Sequence, residues 1–228
     1  MKHVVALLVL ALASYSILPT YAYKLKQLIK KGAGPYKNKV YLTFDDGPTP
    51  TYTTAILDLL KQLDIKASFF VVASFAEQNP EIIQRMQQEG HVIGLHSLEH
   101  KNGLLLSRKY VMEDFRRSLS VLEKLGVKPQ FYRPPWGHFN LVSIAQMKRY
   151  GLKPILWDVM AQDWKANTTA KDIAQKIEVR THDGDIICLH DGRGKNNAPA
   201  RTLEALKIAL PLLIDQGLRF ETVDHYGQ

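Results

Sequence analysis

Two adjacent aspartates, Asp45 and Asp46, and two histidines four apart, His96 and His100, are the first residues in the chain whose types and spacing suggest chemistry. If the chain turns helically after His96, both imidazoles can reach one ion, and a carboxylate from the aspartate pair completes a two-His, one-carboxylate set. Open positions then remain for water and substrate. Such a site lowers the pKa of bound water toward about 7 and makes a hydroxide nucleophile available at neutral pH. Successive side chains at a strand end point in different directions, so one aspartate can bind the ion while the other faces the water as general base. Each element alone has a plainer reading, since Asp-Asp-Gly is commonly a turn and paired histidines can simply cap or coat a surface.

Other polar residues extend the set. A leaving amine must be protonated by a separate acid, and His190 is suited to that role. Asp163 is suited to orient its imidazole and raise its pKa, and Arg133 to hold the base ionised; the competing use of these two is a mutual salt bridge. Trp136, Trp157 and Trp164 lie beside these groups, where indole faces can stack on sugar rings or wall an acyl pocket, although Trp157, inside a strand, reads as core. Gly47 and Gly137 allow close backbone approach, and an N–H next to Gly137 can serve as an oxyanion donor.

Parallel β/α units are the elements expected to position these groups. Short β-branched and aromatic runs fall at Val40–Phe44, Ala67–Val72, Val92–His96, Gln130–Arg133, Lys153–Asp158, Ile186–His190 and Arg219–Val223, with helical periodicity between them. Ile56, Leu59, Leu60 and Leu63 form one helix face, Val111 to Leu125 a second, and Leu203, Leu206, Leu210 and Leu213 a third. Pro80 opens another helix, which Gly90 closes. Periodicity leaves an open doubly wound sheet and a closed barrel both standing. In either, functional groups belong at the C-terminal ends of strands, which is where the polar residues fall.

The chain has 228 residues, 46% of them hydrophobic, enough for one substantial core. A single cysteine, Cys188, excludes a disulfide scaffold and a thiolate zinc cluster. Net charge is +8, but seven of the thirty basic residues precede Val40 and no acid precedes Asp45, leaving 23 basic against 22 acidic groups in the body. That distribution argues against a nucleic-acid groove and for a basic tether facing anionic lipid or wall polymer. Lys2 followed by the apolar run from Val4 to Leu18 reads as an export segment, either a cleaved signal peptide or a retained anchor. The expected division is residues 1–22 as signal or anchor, 23–39 as basic linker and 40–228 as catalytic domain.

With Thr43-Phe44-Asp45-Asp46-Gly47-Pro48, His96-Ser97-x-x-His100, Arg133-Pro134-Pro135-Trp136-Gly137, Asp163-Trp164 and Ile187-Cys188-Leu189-His190 in this order, the sequence resembles the polysaccharide deacetylase family. That family is also called the NodB homology domain or carbohydrate esterase family 4. The resemblance covers about residues 38–225. It implies an α/β fold, a distorted (β/α)7 barrel, and one divalent ion, usually zinc with cobalt, nickel or manganese as alternatives. By the same resemblance Asp45 is the general base, Asp46, His96 and His100 hold the metal, and His190 is the acid. Arg133 then holds Asp45, Asp163 orients His190, the backbone N–H of Trp136 helps bind the oxyanion, and Leu189 and Trp164 line the acetyl pocket. Met160 stands where the family usually has an acid, and Trp136 where it often has Tyr.

The expected protein is an exported, metal-dependent hydrolase of N-acetyl groups on amino-sugar polymers such as peptidoglycan, chitin or poly-N-acetylglucosamine. Its partners are an N-acetylated glycan, no nucleic acid, and a membrane or anionic envelope surface met by the N-terminal segment. A glycan-binding module without chemistry and a hydrolase of small non-glycan amides are the alternatives.

Overall fold

A computed structural model describes residues 2–32 and 34–227. A parallel sheet in the order β5-β4-β3-β2-β1-β7-β6 curls into a distorted (β/α)7 barrel. Its strands are β1 Lys39–Asp45, β2 Ser68–Val71, β3 Val92–Leu95, β4 Phe131–Tyr132, β5 Lys153–Pro154, β6 Val159–Met160 and β7 Ile186–His190. An eighth strand, β8 Arg219–Glu221, pairs in parallel with the start of β1. The helices are α1 Lys2–Leu12, α2 Leu18–Gly32, α3 Tyr52–Gln62, α4 Ala73–Gln78, α5 Pro80–Gln88, α6 Arg108–Lys124, α7 Leu141–Tyr150, α8 Ala170–Arg180 and α9 Ala198–Asp215.

Strand alternation sorts the side chains. Leu42 and Phe44 of β1 and Ile187 and Leu189 of β7 point outward into the main core shared with Ile56, Leu60, Leu206 and Leu210 of the helices. Tyr41 and Ile186 point inward and close the barrel floor with Phe70 and Phe131. Register pairs Tyr41 with Ile186, Thr43 with Cys188 and Asp45 with His190. The interior therefore grades from an apolar floor to a polar mouth at the C-terminal strand ends.

The run expected as one strand from Lys153 to Asp158 is broken. Pro154 offers no donor, and the carbonyls of Ile155 and Leu156 accept from Nε and Nη2 of Arg133, at 3.2 and 2.9 Å. The chain resumes pairing only as β6, and among the described residues no ladder joins β5 to β6.

The segment expected as a basic linker differs from that reading. It is helical through Gly32, continuing α1 across a π-helical stretch, Ala13–Ile17, into α2. Pro19 falls just after the π-helical stretch, where its missing N–H interrupts the ladder of the continuous helix. One face of this helix lies on the barrel. Tyr15 and Ser16 donate to the carbonyls of Leu106 and Leu104, both at 2.7 Å, and Thr20 Oγ1 accepts from the N–H of Phe139 at 2.9 Å. Farther along, Tyr23 stacks on Phe139, Gln27 accepts from Leu156, and Lys31 pairs with Asp185. Val4, Val5, Val9 and Leu10 remain exposed.

Candidate active site

β1 carries Asp45 to the barrel mouth, and the next residue leaves the strand at φ 77°, turning Asp46 toward β3. His96 follows β3 directly, and His100, at φ 56°, brings the second imidazole back over the first. Trp136 on the turn after β4 also has positive φ, at 56°. Three non-glycine residues in the left-handed region around one cleft are a cost concentrated where function is expected.

Asp46 Oδ1 lies 2.8 Å from His100 Nε2 and 3.3 Å from His96 Nε2. His96 Nδ1 lies 2.7 Å from the Arg133 carbonyl, a contact that fixes its proton there and leaves a lone pair on Nε2. Asp46 Oδ1 is buried without a hydrogen-bond donor. Burial disfavours charge on Asp46, yet the imidazoles of His100 and His96 hold its carboxyl well below the usual carboxylate range. Ligand atoms of Asp46, His96 and His100 thus converge within 4.8 Å of one another, and this donor set fits a divalent cation.

Asp45 sits beside this cluster, its Oδ2 3.9 Å from His96 Nε2. Its Oδ1 accepts from Arg133 Nη1 at 2.6 Å, and its Oδ2 accepts from the Cys188 thiol at 3.4 Å. Arg133 is wholly buried, and Phe70 packs on its guanidinium face. It is satisfied by Asp45, Thr43 and two carbonyls, without an acid at position 160. The sequence alternative of an Arg133–Asp163 salt bridge is not formed: Asp163 instead accepts from the backbone N–H of His190 at 2.8 Å and lies 2.9 Å from its Nδ1. Thr202 donates to the same carboxylate. Burial opposes the imidazolium, but Asp163, Asp46 and Asp45 outweigh it and push the His190 pKa up to about 9.

Asp45, Asp46, His96, His100 and His190 line a cleft of about 660 Å³ together with Trp136, Trp157 and Trp164. Trp136 is 53% exposed and leans on His100; Trp164 meets His190 edge to face. Trp157, expected as core, packs on the core and also lines the cleft. Leu189 does not line it. Because β7 alternates, Leu189 points outward into the core while Cys188 and His190 share the inner face, so Cys188 walls the cleft at this strand. Period-two counting back from His190 would have found it.

Asp191 was also passed over. It is buried and accepts from Thr53 Oγ1 at 2.5 Å, and any Cβ on Gly47 would collide with its carboxylate. The tight Asp-Gly-Pro turn after β1 and the His-Asp end of β7 are therefore fitted to each other.

Comparison with known proteins agrees with this geometry. A family model described as polysaccharide deacetylase matches residues 32–155. A peptidoglycan-N-acetylglucosamine deacetylase of Bacillus cereus is 36% identical over 186 residues, covering 81% of this chain and 85% of its own length. Among solved structures, the Bc1960 peptidoglycan N-acetylglucosamine deacetylase with a bound N-hydroxybenzamide superposes with TM-score 0.79 at 31% identity, covering 85% of this chain and 90% of that one. A family 4 acetyl xylan esterase from Clostridium thermocellum, solved with a cobalt ion, gives TM-score 0.75 at 33% identity, covering 82% and 89%. With the matched residues spanning more than half of the sequence and the same curled barrel beneath them, the chain belongs to the polysaccharide deacetylase family.

Proposed function

We propose that this protein hydrolyses N-acetyl groups on amino-sugar polymers of the cell envelope, releasing acetate and a free amine. The observation that carries this reading is the pair of dyads, Arg133–Asp45 and Asp163–His190, flanking the Asp46, His96 and His100 donor set in one tryptophan-walled cleft. A divalent ion held by those three residues would supply Lewis acidity and lower the pKa of a coordinated water. Zinc suits two imidazoles and a carboxylate, and the cobalt in the acetyl xylan esterase supports a site tolerant of other ions.

Asp45 takes the proton from the attacking water, and Arg133 keeps that carboxylate ionised and aimed. As the water oxygen bonds to the acetamide carbon, the carbonyl oxygen gathers charge, and the backbone N–H of Trp136 is the donor assigned to it. His190 then protonates the nitrogen as the C–N bond breaks, with Asp163 fixing its ring. Trp164 and Cys188 wall the acetyl methyl. Acetate release should be measured on N-acetylglucosamine oligomers, purified peptidoglycan and small acetamides. Turnover confined to the glycans supports the reading; turnover of small amides alone overturns it.

The cellular setting we propose is the outer face of the membrane, with the N-terminal helix retained. By length and composition alone Lys2–Gly32 passes for a membrane-crossing helix, with mean hydropathy 1.9 over its best window; with Tyr15 to Lys31 seated on the barrel, Val4, Val5, Val9 and Leu10 are exposed apolar residues left to enter the bilayer. Retention is supported by the bonds of Tyr15, Ser16 and Thr20 to loops of the barrel, because cleavage near Ala22 would discard all three. Intact mass of protein extracted from membranes tests this; a chain beginning after Ala22 refutes it.

A further inference from the structure

We propose that the cleft selects glycans carrying a carboxylate on or beside the deacetylated sugar, recognised by Arg193 and Lys195. This rests on the functional reading above and names its substrate more narrowly. Both residues line the same cleft as Asp46 and His190, both are exposed, and neither has an acidic partner within salt-bridge distance among the described residues. The acids lining the cleft are Asp45 and Asp46, the first paired with Arg133 and the second facing two imidazoles. Two cations on the rim therefore lack internal counter-charges, which leaves them available to an anionic ligand.

The loop that bears them is fixed from several sides. Lys195 N–H donates to the Trp164 carbonyl at 3.1 Å, and Arg201 of α9 donates to the Lys195 carbonyl at 3.0 Å. Arg201 also holds the Asn196 carbonyl, and Tyr52 donates to Asn197 Oδ1 at 2.5 Å. Gly194 has no room for a side chain, since a Cβ there would strike Ala198. A pinned loop loses little entropy when its side chains engage a ligand. Trp164, whose carbonyl holds the Lys195 N–H, also presents the ring that meets His190, so the loop bearing the two cations borders the same cleft as the proposed acid. A guanidinium and an ammonium at this place match a carboxylate on the same sugar or its neighbour, whereas a neutral polymer would leave them unused.

Two sources can supply that carboxylate: an acid substituent on the sugar itself, or a peptide attached to it. The full chain in detergent should be assayed for acetate release on neutral N-acetylglucosamine oligomers, on peptidoglycan strands whose peptides have been removed to free the lactyl carboxylate, and on strands keeping their peptides. For Arg193→Gln/Lys195→Gln, KM on a carboxylate-bearing strand should rise about fivefold with kcat held, a size typical of exposed ion pairs. KM on the neutral oligomers should move less than twofold. Raising salt should weaken the wild type on charged strands and not the double variant. The strand that shows the effect identifies the source. Equal KM changes on charged and neutral substrates, or none on either charged strand, overturn the inference. If the wild type releases acetate from nothing, the catalytic reading fails, and binding of the same strands, read by quenching of the cleft tryptophans, still tests the inference alone.

Discussion

Without any exposure to solvent, the Arg133 guanidinium divides its donors among Thr43, Asp45, Ile155 and Leu156, so one side chain both neutralises the proposed base and bridges the gap between β5 and β6. Removing it should do two kinds of damage. Arg133→Met leaves a buried carboxylate unpaired and should cost about 3–5 kcal/mol in chemical denaturation. Arg133→Lys cannot reproduce a planar fork and should recover little of that loss; stability equal to wild type in either would contradict the bridging role. Asp45→Asn keeps the shape and removes the base, so acetate release should fall by about 10²–10⁴-fold while zinc binding persists. Unchanged turnover would end the assignment of Asp45. At this scale the sequence was highly legible: Asp45, Asp46, His96, His100, Arg133, Asp163 and His190 converge as their positions at strand ends imply. Residue chemistry alone left the partners open, because Arg133 and Asp163 are as well matched to each other as to Asp45 and His190; the family resemblance assigned the pairs that form.

On β7 a one-residue difference separates two functions. Leu189 packs outward and Cys188 inward, so Leu189→Ala should act on stability, by about 2–5 kcal/mol in urea unfolding, while KM for the glycan stays within twofold. A large KM change with intact stability would return Leu189 to the acetyl pocket. The β1, β7 and α9 segments were readable because their apolar spacing is dictated locally by burial. The split between β5 and β6 was not, since it depends on donors from Arg133, far away in sequence. The docked N-terminal helix was hidden for the same reason: Ser16 and Thr20 find their partners at Leu104 and Phe139, and nothing in the local pattern of an export segment announces such contacts. Met160, a departure from the family's usual acid, faces the cleft from β6 in register with Cys188.

Across the molecule, ionisable groups outside the cleft tie stability to pH. His91 is buried, its Nδ1 accepting from the Ala67 N–H at 3.1 Å, and burial, with Lys66 and Arg85 nearby and Glu89 opposing, lowers its pKa to about 4. The unfolded chain binds this proton near pH 6.5, so the contribution of neutral His91 is complete above that pH and is lost as pH falls toward 4. Asp114 works in the opposite sense: burial raises its pKa to about 6, and folding is favoured by the proton it keeps below that value. The two are separated by His91→Gln. The stability difference between wild type and this variant should shrink or reverse by up to about 3 kcal/mol between pH 7.5 and pH 4, and a difference independent of pH would contradict a neutral buried His91.

Acetate release is proposed to depend on a divalent ion held by Asp46, His96 and His100. This dependence is tested most directly by acetate release from an N-acetylated glycan by protein stripped with chelator and then titrated with zinc, alongside His96→Ala. The wild type should fall to background when stripped and recover fully at one zinc per chain, while His96→Ala should neither retain the ion nor recover. Undiminished release after complete stripping, or zinc-restored activity in His96→Ala, would remove these three residues from the metal-binding role.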